Sequence, residues 1–172
     1  MEIVNIIAVA EMKKPFSLEL LFNKLDNTEF NSSKTWLKMR ITPENRYIAF
    51  YKSGKFLITG LKNFKELNKV KKKVLDILKE NNIENSFADL KISNIVLKDS
   101  IKLKSSLEDI LVSLNSTKVS YEPEQFPGLF YKEECGINYT LFSSGKIIIT
   151  GVKDIELAEI KLNKFKELIL RL

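Results

Sequence analysis

Carboxylates and lysines are the groups in this sequence that could do acid–base chemistry. The chain has 28 lysine and arginine residues and 22 acidic residues, but no histidine and one cysteine, Cys135. The missing histidine removes the commonest general base and the commonest metal ligand. A single cysteine excludes an internal disulfide and a cysteine-based metal site, and it is typical of a reducing compartment. Because no convergent pair of carboxylates or lysines is evident, we expect a protein that is not an enzyme and needs no cofactor or metal.

The charge balance of the chain is basic, with a formal net charge of +6. A composition rich in lysine, glutamate and isoleucine is common in heat-adapted proteins. A basic surface is also common in proteins that bind polyanions. Charge alone leaves both interpretations open. No apolar run approaches the roughly 20 residues that span a bilayer, and the apolar start of the chain lacks the pattern of a secretory leader, so we expect a cytoplasmic protein.

A ten-residue string near the middle of the chain returns near its end. Residues 53–62 read Ser-Gly-Lys-Phe-Leu-Ile-Thr-Gly-Leu-Lys and residues 144–153 read Ser-Gly-Lys-Ile-Ile-Ile-Thr-Gly-Val-Lys, so seven of ten positions are identical at a separation of 91 residues. The chain therefore reads as two tandem copies of one unit, over 1–82 and 88–172. A doubled unit suits a partner with matching symmetry, and DNA is one of the few such partners.

Both copies predict the same order of elements: strand, helix, four strands, helix. Apolar residues recur at helical spacing in the predicted helices, which are 17–25, 64–81, 103–114 and 155–170. The second copy is predicted to begin with a strand over 88–97. The Ser-Gly pairs of the repeated string predict tight turns between strands. The predicted fold class is α+β, and a sheet with helices on one side leaves its other face open. Because the strands are rich in isoleucine, valine, leucine and phenylalanine, an open apolar face of this kind indicates a binding site.

Residues 121–129, Tyr-Glu-Pro-Glu-Gln-Phe-Pro-Gly-Leu, carry a second informative pattern together with 141–146 and 149–151. These strings closely resemble the second repeat of the TATA-box-binding protein family in its archaeal-type form. The resemblance extends over both copies, is strong in 118–153 and is weaker in 1–49. It implies a saddle, with a curved antiparallel sheet on the concave side and helices on the convex side.

The resemblance also implies a function. The family is a well-known example of binding in the minor groove, where apolar side chains act as wedges that kink the duplex. It therefore predicts a general transcription initiation factor that binds A·T-rich promoter DNA, bends it, and recruits transcription factor B and then RNA polymerase. Such a protein would be associated with the nucleoid.

Carried over residue by residue, the resemblance assigns DNA contacts in both copies. In the second copy these are Asn94, Val96, Phe126, Pro127, Phe142, Ile148 and Thr150. In the first copy they are Asn5, Ile7, Tyr51, Leu57 and Thr59. Phe126 and Phe142 match the wedge pair, and Asn94 matches an asparagine that donates to the groove floor. The same resemblance assigns contacts with transcription factor B to Glu122, Glu124 and Leu129.

The first copy departs from the family pattern. The Gln-Phe-Pro-Gly string is replaced by residues 31–36, Asn-Ser-Ser-Lys-Thr-Trp. Lys34 or Thr35 falls at the wedge position depending on where the gap is placed, and Trp36 could pack the segment or act as a displaced wedge. Tyr51 stands where the second phenylalanine wedge is expected, and its hydroxyl needs a partner or water. We therefore expect a weaker kink on this side.

Two further groups of residues and one alternative function follow from the sequence. Phosphate contacts are expected from Arg40, Arg46, Lys52, Lys55, Lys132 and Lys146. The long helix of the first copy is basic through Lys62, Lys65, Lys69, Lys71, Lys72 and Lys73, which form either a solvated face or a regulator-binding surface. The alternative is a divergent regulator that binds transcription factor B or other proteins and has weak DNA affinity. A weak homodimer of the free chain is compatible with an open apolar face.

Overall fold

The computed structural model describes residues 1–30, 33, 35–43, 46–114 and 116–172. In the first half the elements are β1 (Glu2–Met12), α1 (Leu18–Lys24), β2 (Thr28–Phe30), β3 (Trp36–Ile41), β4 (Arg46–Tyr51), β5 (Lys55–Leu61) and α2 (Phe64–Glu80). In the second half they are β6 (Phe87–Ser100), α3 (Leu107–Leu114), β7 (Val119–Ser120), β8 (Gly128–Lys132), β9 (Asn138–Phe142), β10 (Lys146–Val152) and α4 (Ile155–Leu170). The predicted order of elements therefore occurs in both halves.

The ten strands form one sheet in the order β2-β3-β4-β5-β1-β6-β10-β9-β8-β7. Neighbouring strands within each half pair antiparallel. The order in the second half repeats the order in the first half, as expected for a duplicated unit. The prediction of an α+β fold with two β-α-β-β-β-β-α repeats is confirmed.

Burial alternates along the strands because successive side chains point to opposite faces. In β1, Ile6, Ala8 and Ala10 are fully buried, whereas Asn5 and Ile7 are half-buried. The helices cover the buried face, with α2 packed against β5 and α1 packed against β2 and β3. Helix α2 is positioned by its own periodicity, since its buried residues recur every three or four positions, at Leu67, Val70, Val74 and Leu78.

Residues 5–93 make one compact unit. Its core contains a run of phenylalanine rings, in which Phe16 meets Phe50 edge-on at 5.4 Å and Phe50 lies 5.6 Å from Phe56. Asn63 caps the N-terminus of α2 by accepting a hydrogen bond from the backbone N–H of Glu66 at 2.8 Å.

Residues 94–172 and 1–4 make the other compact unit. The ring of Phe165 from α4 stacks on Tyr139 of β9 at 4.3 Å. Asp99 of β6 binds the Lys166 ammonium at 2.9 Å and the amino group of Met1 at 3.1 Å. Burial alone raises the pKa of Asp99, but hydrogen bonds from Lys166, the Ser100 backbone and the Met1 amine lower it to about 2. The compact units therefore do not coincide with the sequence copies 1–82 and 88–172, since β1 and β6 are each divided between them.

The repeated Ser-Gly turns require glycine for two reasons. Gly54 and Gly145 have φ values of +86° and +80°, which residues other than glycine rarely adopt. In addition, a Cβ at Gly54 would lie 2.5 Å from the carbonyl oxygen of Lys14, and one at Gly145 would lie 1.9 Å from that of Ile101. The identity of the string in the two copies therefore follows partly from the geometry of its turn.

Two predicted boundaries differ from the structure. Helix α3 begins at Leu107, not at Leu103, because Ser106 and Asp109 cap each other. The Ser106 hydroxyl donates to the Asp109 carboxylate at 2.7 Å and accepts from the Asp109 backbone N–H at 3.1 Å. Strand β6 continues to Ser100 beyond its predicted end at Leu97.

Candidate nucleic-acid interface

Each half of the chain has a sheet face that its helices leave uncovered, and we call this the open face. The predicted floor residues all lie on it. In the first half these are Asn5, Ile7, Leu57 and Thr59, and in the second half they are Asn94, Val96, Ile148 and Thr150; each is half-buried. Their neighbours along the strands, such as Phe56, Ile58, Ile147 and Ile149, are fully buried. The floor therefore combines four aliphatic side chains with two asparagines and two threonines.

The two asparagines make the same contact in the two halves. The Oδ1 atom of Asn5 accepts a hydrogen bond from the backbone N–H of Gly60 at 2.8 Å, and that of Asn94 accepts one from Gly151 at 2.9 Å. The strand pairing shifts register at both places, as expected for a β-bulge. Because the oxygen is used within the protein, the NH₂ group of each side chain remains as the donor for a ligand.

Three rings in the second half form a surface that we call the phenylalanine cluster: Phe126, Phe130 and Phe142. Phe126 stacks on Phe130 at 5.1 Å and meets Phe142 edge-on at 5.9 Å. Phe126 and Phe130 are 40% and 44% exposed, which is unusual for large apolar side chains. Phe130 is absent from the sequence prediction, although the alternation along β8 puts Phe130 on the face opposite to the buried Leu129.

The phenylalanine cluster depends on a glycine beneath it. A Cβ at Gly128 would lie 2.6 Å from the ring of Phe126 and 2.7 Å from the side chain of Thr140. Any larger residue would therefore displace the Phe126 ring. A turn brings Phe126 to this position, since the backbone N–H groups of Gln125 and Phe126 both donate to the carbonyl of Glu122 at 3.0 Å. Pro127, which follows Phe126, is exposed.

The acidic segment before the phenylalanine cluster is at the surface. Glu122 and Glu124 are exposed. The preceding Tyr121 is tied to α3, where burial together with the charge and hydrogen bond of Glu108 raises the pKa of Tyr121. Leu129 is different, because it is 0% exposed and lies in the core. The prediction that Leu129 contacts a partner is therefore corrected: its alternation in β8 directs it to the helix-covered face, where it supports the segment from inside.

The strand register aligns the outer strands of the two halves. Trp36 pairs with Tyr51 across β3 and β4, as Gly128 pairs with Phe142 across β8 and β9. Trp36 therefore occupies the position of Gly128. The counterpart of Phe126, two residues earlier, is Lys34, which lies outside the described residues together with Asn31 and Ser32. Trp36 itself is half-buried on the open face.

Cations and aromatic rings alternate on the open face of the first half, and we call this the cation–aromatic cluster: Trp36, Lys38, Arg40 and Tyr47. The Lys38 ammonium lies 5.0 Å from the centre of the Trp36 ring and 5.6 Å from that of Tyr47. The Arg40 guanidinium lies 4.1 Å from the Tyr47 ring. These are the distances of cation–π contacts. In the second half the strand register puts Gly128, Phe130 and Lys132 at the positions of Trp36, Lys38 and Arg40.

The prediction that Arg46 contacts a DNA phosphate is corrected by the structure. Its guanidinium donates to the carbonyl oxygen of Gly60 and lies 3.8 Å from the Glu66 carboxylate, and the side chain is 17% exposed. Arg46 therefore stabilises the bulge at Gly60 within the protein. The other predicted cations except Arg40 are exposed, namely Lys52, Lys55, Lys132 and Lys146.

The basic residues of α2 and its approach fall into two groups. Lys62, Lys65, Lys69 and Lys72 are exposed, whereas Lys71 and Lys73 are half-buried. Lys71 lies 5.0 Å from the Phe87 ring, and Lys73 donates to the carbonyl of Thr42 at 2.5 Å. Within the described ranges, no cluster of three or more carboxylate or thiol side chains could hold a metal ion. None of the helices in the described part of the chain could cross a membrane.

Comparisons with known proteins agree with this geometry. Residues 1–81 and 89–172 match the profile of the family described as transcription factor TFIID (or TATA-binding protein, TBP). The chain is 36% identical over 168 residues to the TATA-box-binding protein of Thermoplasma volcanium, covering 94% of this chain and 91% of the relative. It is 31% identical over 169 residues to that of Methanothermobacter thermautotrophicus, covering 96% and 92%.

A solved structure is similar over nearly the whole chain. The Methanococcus jannaschii TBP superimposes with a TM-score of 0.88 at 30% sequence identity, covering 99% of this chain and 98% of the other. The element order, the sheet and the position of the open face described above are therefore those of a known fold.

Proposed function

Since the chain belongs to the TATA-box-binding protein family, we propose that it is a transcription factor that binds A·T-rich promoter DNA in the minor groove with the open faces of its sheet. The observation that carries this proposal is the combination of two outward-directed asparagine NH₂ groups with an apolar floor and an exposed phenylalanine cluster. The floor offers few hydrogen-bond donors, and no described carboxylate belongs to it. The phenylalanine cluster beside the floor supplies rings that can enter a base stack.

The floor suits the minor groove of A·T pairs for a chemical reason. There, A·T and T·A pairs present acceptors alone, the adenine N3 and the thymine O2, whereas a G·C pair adds the guanine N2 amino donor. The NH₂ groups of Asn5 and Asn94 donate to such acceptors. Val96 and Ile148 offer no acceptor to a guanine amino group, so burying that group against them costs a hydrogen bond. The floor therefore favours A·T pairs.

The phenylalanine cluster supplies the means of bending. Wedges of this kind partly unstack a base step at a cost of about a few kcal/mol, which is offset by the extra surface that the bent duplex buries. Phe126 and Phe142 are adjacent, partly exposed rings and act as the wedge pair. Pro127 stiffens the segment that carries Phe126, because its ring fixes the backbone φ angle.

The exposed acidic segment is the site for the next factor. We assign contacts with transcription factor B to Glu122 and Glu124, whose carboxylates are exposed beside the turn that positions Phe126. RNA polymerase would then be recruited indirectly, through transcription factor B.

A base-analogue experiment tests minor-groove reading directly. Inosine lacks the guanine 2-amino group, so an I·C pair resembles A·T in the minor groove and G·C in the major groove. We expect an A·T-rich duplex and its I·C-substituted form to bind with similar affinity in a gel-shift titration. The G·C-substituted duplex should bind about tenfold or more weakly, as mismatched pairs do. If I·C behaves like G·C, the minor-groove proposal is wrong.

A second candidate function is favoured by the cation–aromatic cluster. Since Trp36, Lys38 and Arg40 occupy the outer strand of the first half where the second half has a phenylalanine cluster, the chain could act as a regulator that binds transcription factor B or other proteins with weak DNA affinity. A titration of A·T-rich duplex at moderate salt with and without transcription factor B separates the two functions. A ternary complex supports the promoter-binding function, and a protein–protein complex without DNA supports the regulator.

A further inference from the structure

One cross-strand row on the open face differs in chemistry between the two halves of the chain. In the first half the paired residues are Lys38, Ala49 and Leu57. In the second half they are Phe130, Thr140 and Ile148. The first row therefore has a cation and a methyl group where the second has an aromatic ring and a larger side chain.

The neighbouring row differs in hydrogen-bonding capacity. Tyr51 and Phe142 occupy equivalent positions, opposite Trp36 and Gly128, and both are half-buried. The Tyr51 hydroxyl can both donate and accept a hydrogen bond, whereas Phe142 can do neither. Glu29 adds a second acceptor at this edge, because it pairs with Lys38 across β2 and β3 and is exposed.

We propose that the first half of the chain tolerates G·C pairs in the part of the DNA element that it contacts, whereas the second half requires A·T pairs. Tyr51 and Lys38 are the residues that set this difference. The proposal rests on the function proposed above, because it assigns a base preference to the same DNA-binding faces.

The chemistry of the guanine amino group explains the difference. Its N–H needs an acceptor when it leaves water, and an unpaired donor costs about 1–3 kcal/mol. The Tyr51 hydroxyl supplies an acceptor, and the small side chain of Ala49 leaves room for the amino group. Lys38 donates to groove acceptors that every base pair presents, since guanine keeps N3 and cytosine keeps O2 in the minor groove. The three rings of the phenylalanine cluster offer no acceptor. The Thr140 hydroxyl beside Phe130 is an acceptor, but Thr140 and the Phe126 ring crowd the space above Gly128.

The two halves therefore predict an orientation on asymmetric DNA. A protein that tolerates G·C in one half of its site will turn so that the tolerant half covers the G·C pair. One G·C pair should cost little affinity wherever it is placed, because the protein can reorient. G·C pairs in both halves should cost about tenfold or more, because the second half of the chain must then face one of them.

Cys135 allows this orientation to be read. It is the one cysteine of the chain, is exposed in the turn between β8 and β9, and belongs to the second half. A DNA-cleaving chelate attached to its thiol will cut one flank when the protein binds in one orientation and both flanks when it binds in two. A series of duplexes should place one G·C pair at successive positions of one half, with a mirror series for the other half.

For the natural chain we expect a loss of less than about threefold with one G·C pair, and cleavage mainly at the flank next to the all-A·T half. A variant with second-half residues in the first half, Lys38→Phe, Ala49→Thr and Tyr51→Phe, should lose about tenfold or more on every one-G·C duplex. The conservative single variant Tyr51→Phe guards against misfolding and should show part of that loss. Lys164→Ala is the matched control, since Lys164 is exposed on α4 and belongs to neither row, and it should keep the natural tolerance.

The outcomes separate this inference from the proposed function. If the A·T duplex binds but one G·C pair costs as much as two, or cleavage is equal at both flanks, the inference is wrong and the proposed function stands. If Tyr51→Phe keeps full tolerance in a folded protein, the role of Tyr51 is wrong. If the A·T duplex does not bind at all, both fail.

Discussion

The outer strands of the second half, β8 and β9, carry Phe130 and Phe142 on the open face, and Phe126 lies just before β8. In the first half β3 and β4 carry the cation–aromatic cluster, in which Lys38 stands at the position of Phe130. The inner strands differ much less. Asn5 and Asn94 make the same hydrogen bond to a glycine N–H at 2.8 and 2.9 Å, and the floor residues beside them are apolar in both halves. Duplication has therefore kept the floor and changed the wedges.

In the proposed function the open face has two tasks, selection of base pairs by the floor and deformation of the duplex by the wedges. The floor residues are similar in the two halves. Among the described residues, a pair of adjacent phenylalanine rings lies on the open face of the second half alone. The first half has Trp36 where the second has Gly128, so a large side chain stands at the position where a Cβ in the second half would meet the Phe126 ring.

The largest expected effect is on DNA bending. Replacement of both wedges, Phe126→Ala with Phe142→Ala, should abolish the kink on the side of the second half, because the wedge pair that unstacks the base step there is lost. Tyr51→Ala should reduce bending much less, since the first half is the weaker wedge. The end-to-end distance of a duplex labelled with a donor and an acceptor dye measures both.

Phe64→Ala is the control for this experiment. Phe64 is 42% exposed at the start of α2, away from the open face, so its loss should leave bending unchanged. Equal losses of bending in the double variant and in Tyr51→Ala would show that the two halves kink DNA alike.

The second effect should be equal in the two halves. Asn5→Asp and Asn94→Asp each replace an NH₂ donor by a carboxylate oxygen that faces groove acceptors, while the other oxygen still accepts from the glycine N–H. We expect each to weaken binding to an A·T duplex by about tenfold or more. Gel-shift titrations at fixed salt measure the ratio. A loss confined to one variant would contradict the equivalence of the floors.

Charge reversal of the acidic segment should affect one half and one partner. Glu122→Lys with Glu124→Lys should weaken the ternary complex with transcription factor B by about tenfold, while DNA affinity without that factor stays the same or rises slightly. Glu159→Lys is the control, because Glu159 is exposed on α4. Glu108→Gln is unsuitable as a control because Glu108 contacts Tyr121. An unchanged ternary complex would remove these carboxylates from the interface.

The smallest effect concerns stability. Tyr139 is fully buried, and its hydroxyl has no hydrogen-bond partner among the described residues, whereas the first half has Ile48 at the equivalent position. Tyr139→Phe should therefore leave the free energy of unfolding unchanged or raise it by up to about 1 kcal/mol, a gain of a few degrees in Tm. Calorimetry measures it, with Ile48→Val as a comparison that should lower Tm. A clear destabilisation by Tyr139→Phe would mean that the hydroxyl is hydrogen-bonded.

Much of this architecture could be predicted from local patterns. The duplication is visible in the Ser-Gly strings, which are alike in the two copies because their turns require glycine. The family resemblance assigned Asn94, Val96, Ile148 and Thr150 to the floor, and alternation with a period of two along β6 and β10 accounts for their common face. The same alternation could have found Phe130 and excluded Leu129 as a surface residue, but the motif drew attention to the wedges alone.

Other features depend on contacts between distant segments. The sequence predicts that Arg46 is a surface cation. In the structure its guanidinium is held by the Gly60 carbonyl and by Glu66, and neither residue is close to Arg46 in the chain. The position of Trp36 opposite Tyr51 is set by the pairing of β3 with β4. The sequence alone did not decide where the alignment gap before Trp36 should be placed.

The central claim is that both halves bind the groove and the second half supplies most of the kink. Fluorescence of 2-aminopurine, which brightens when its base is unstacked, tests this at single steps. The analogue is placed at one end or the other of an A·T element, and a disulfide from Cys135 to one flank of the duplex fixes the orientation. We predict strong brightening at the end contacted by Phe126 and Phe142 and weak brightening at the other end. Equal brightening at both ends, or none at either, would contradict the account.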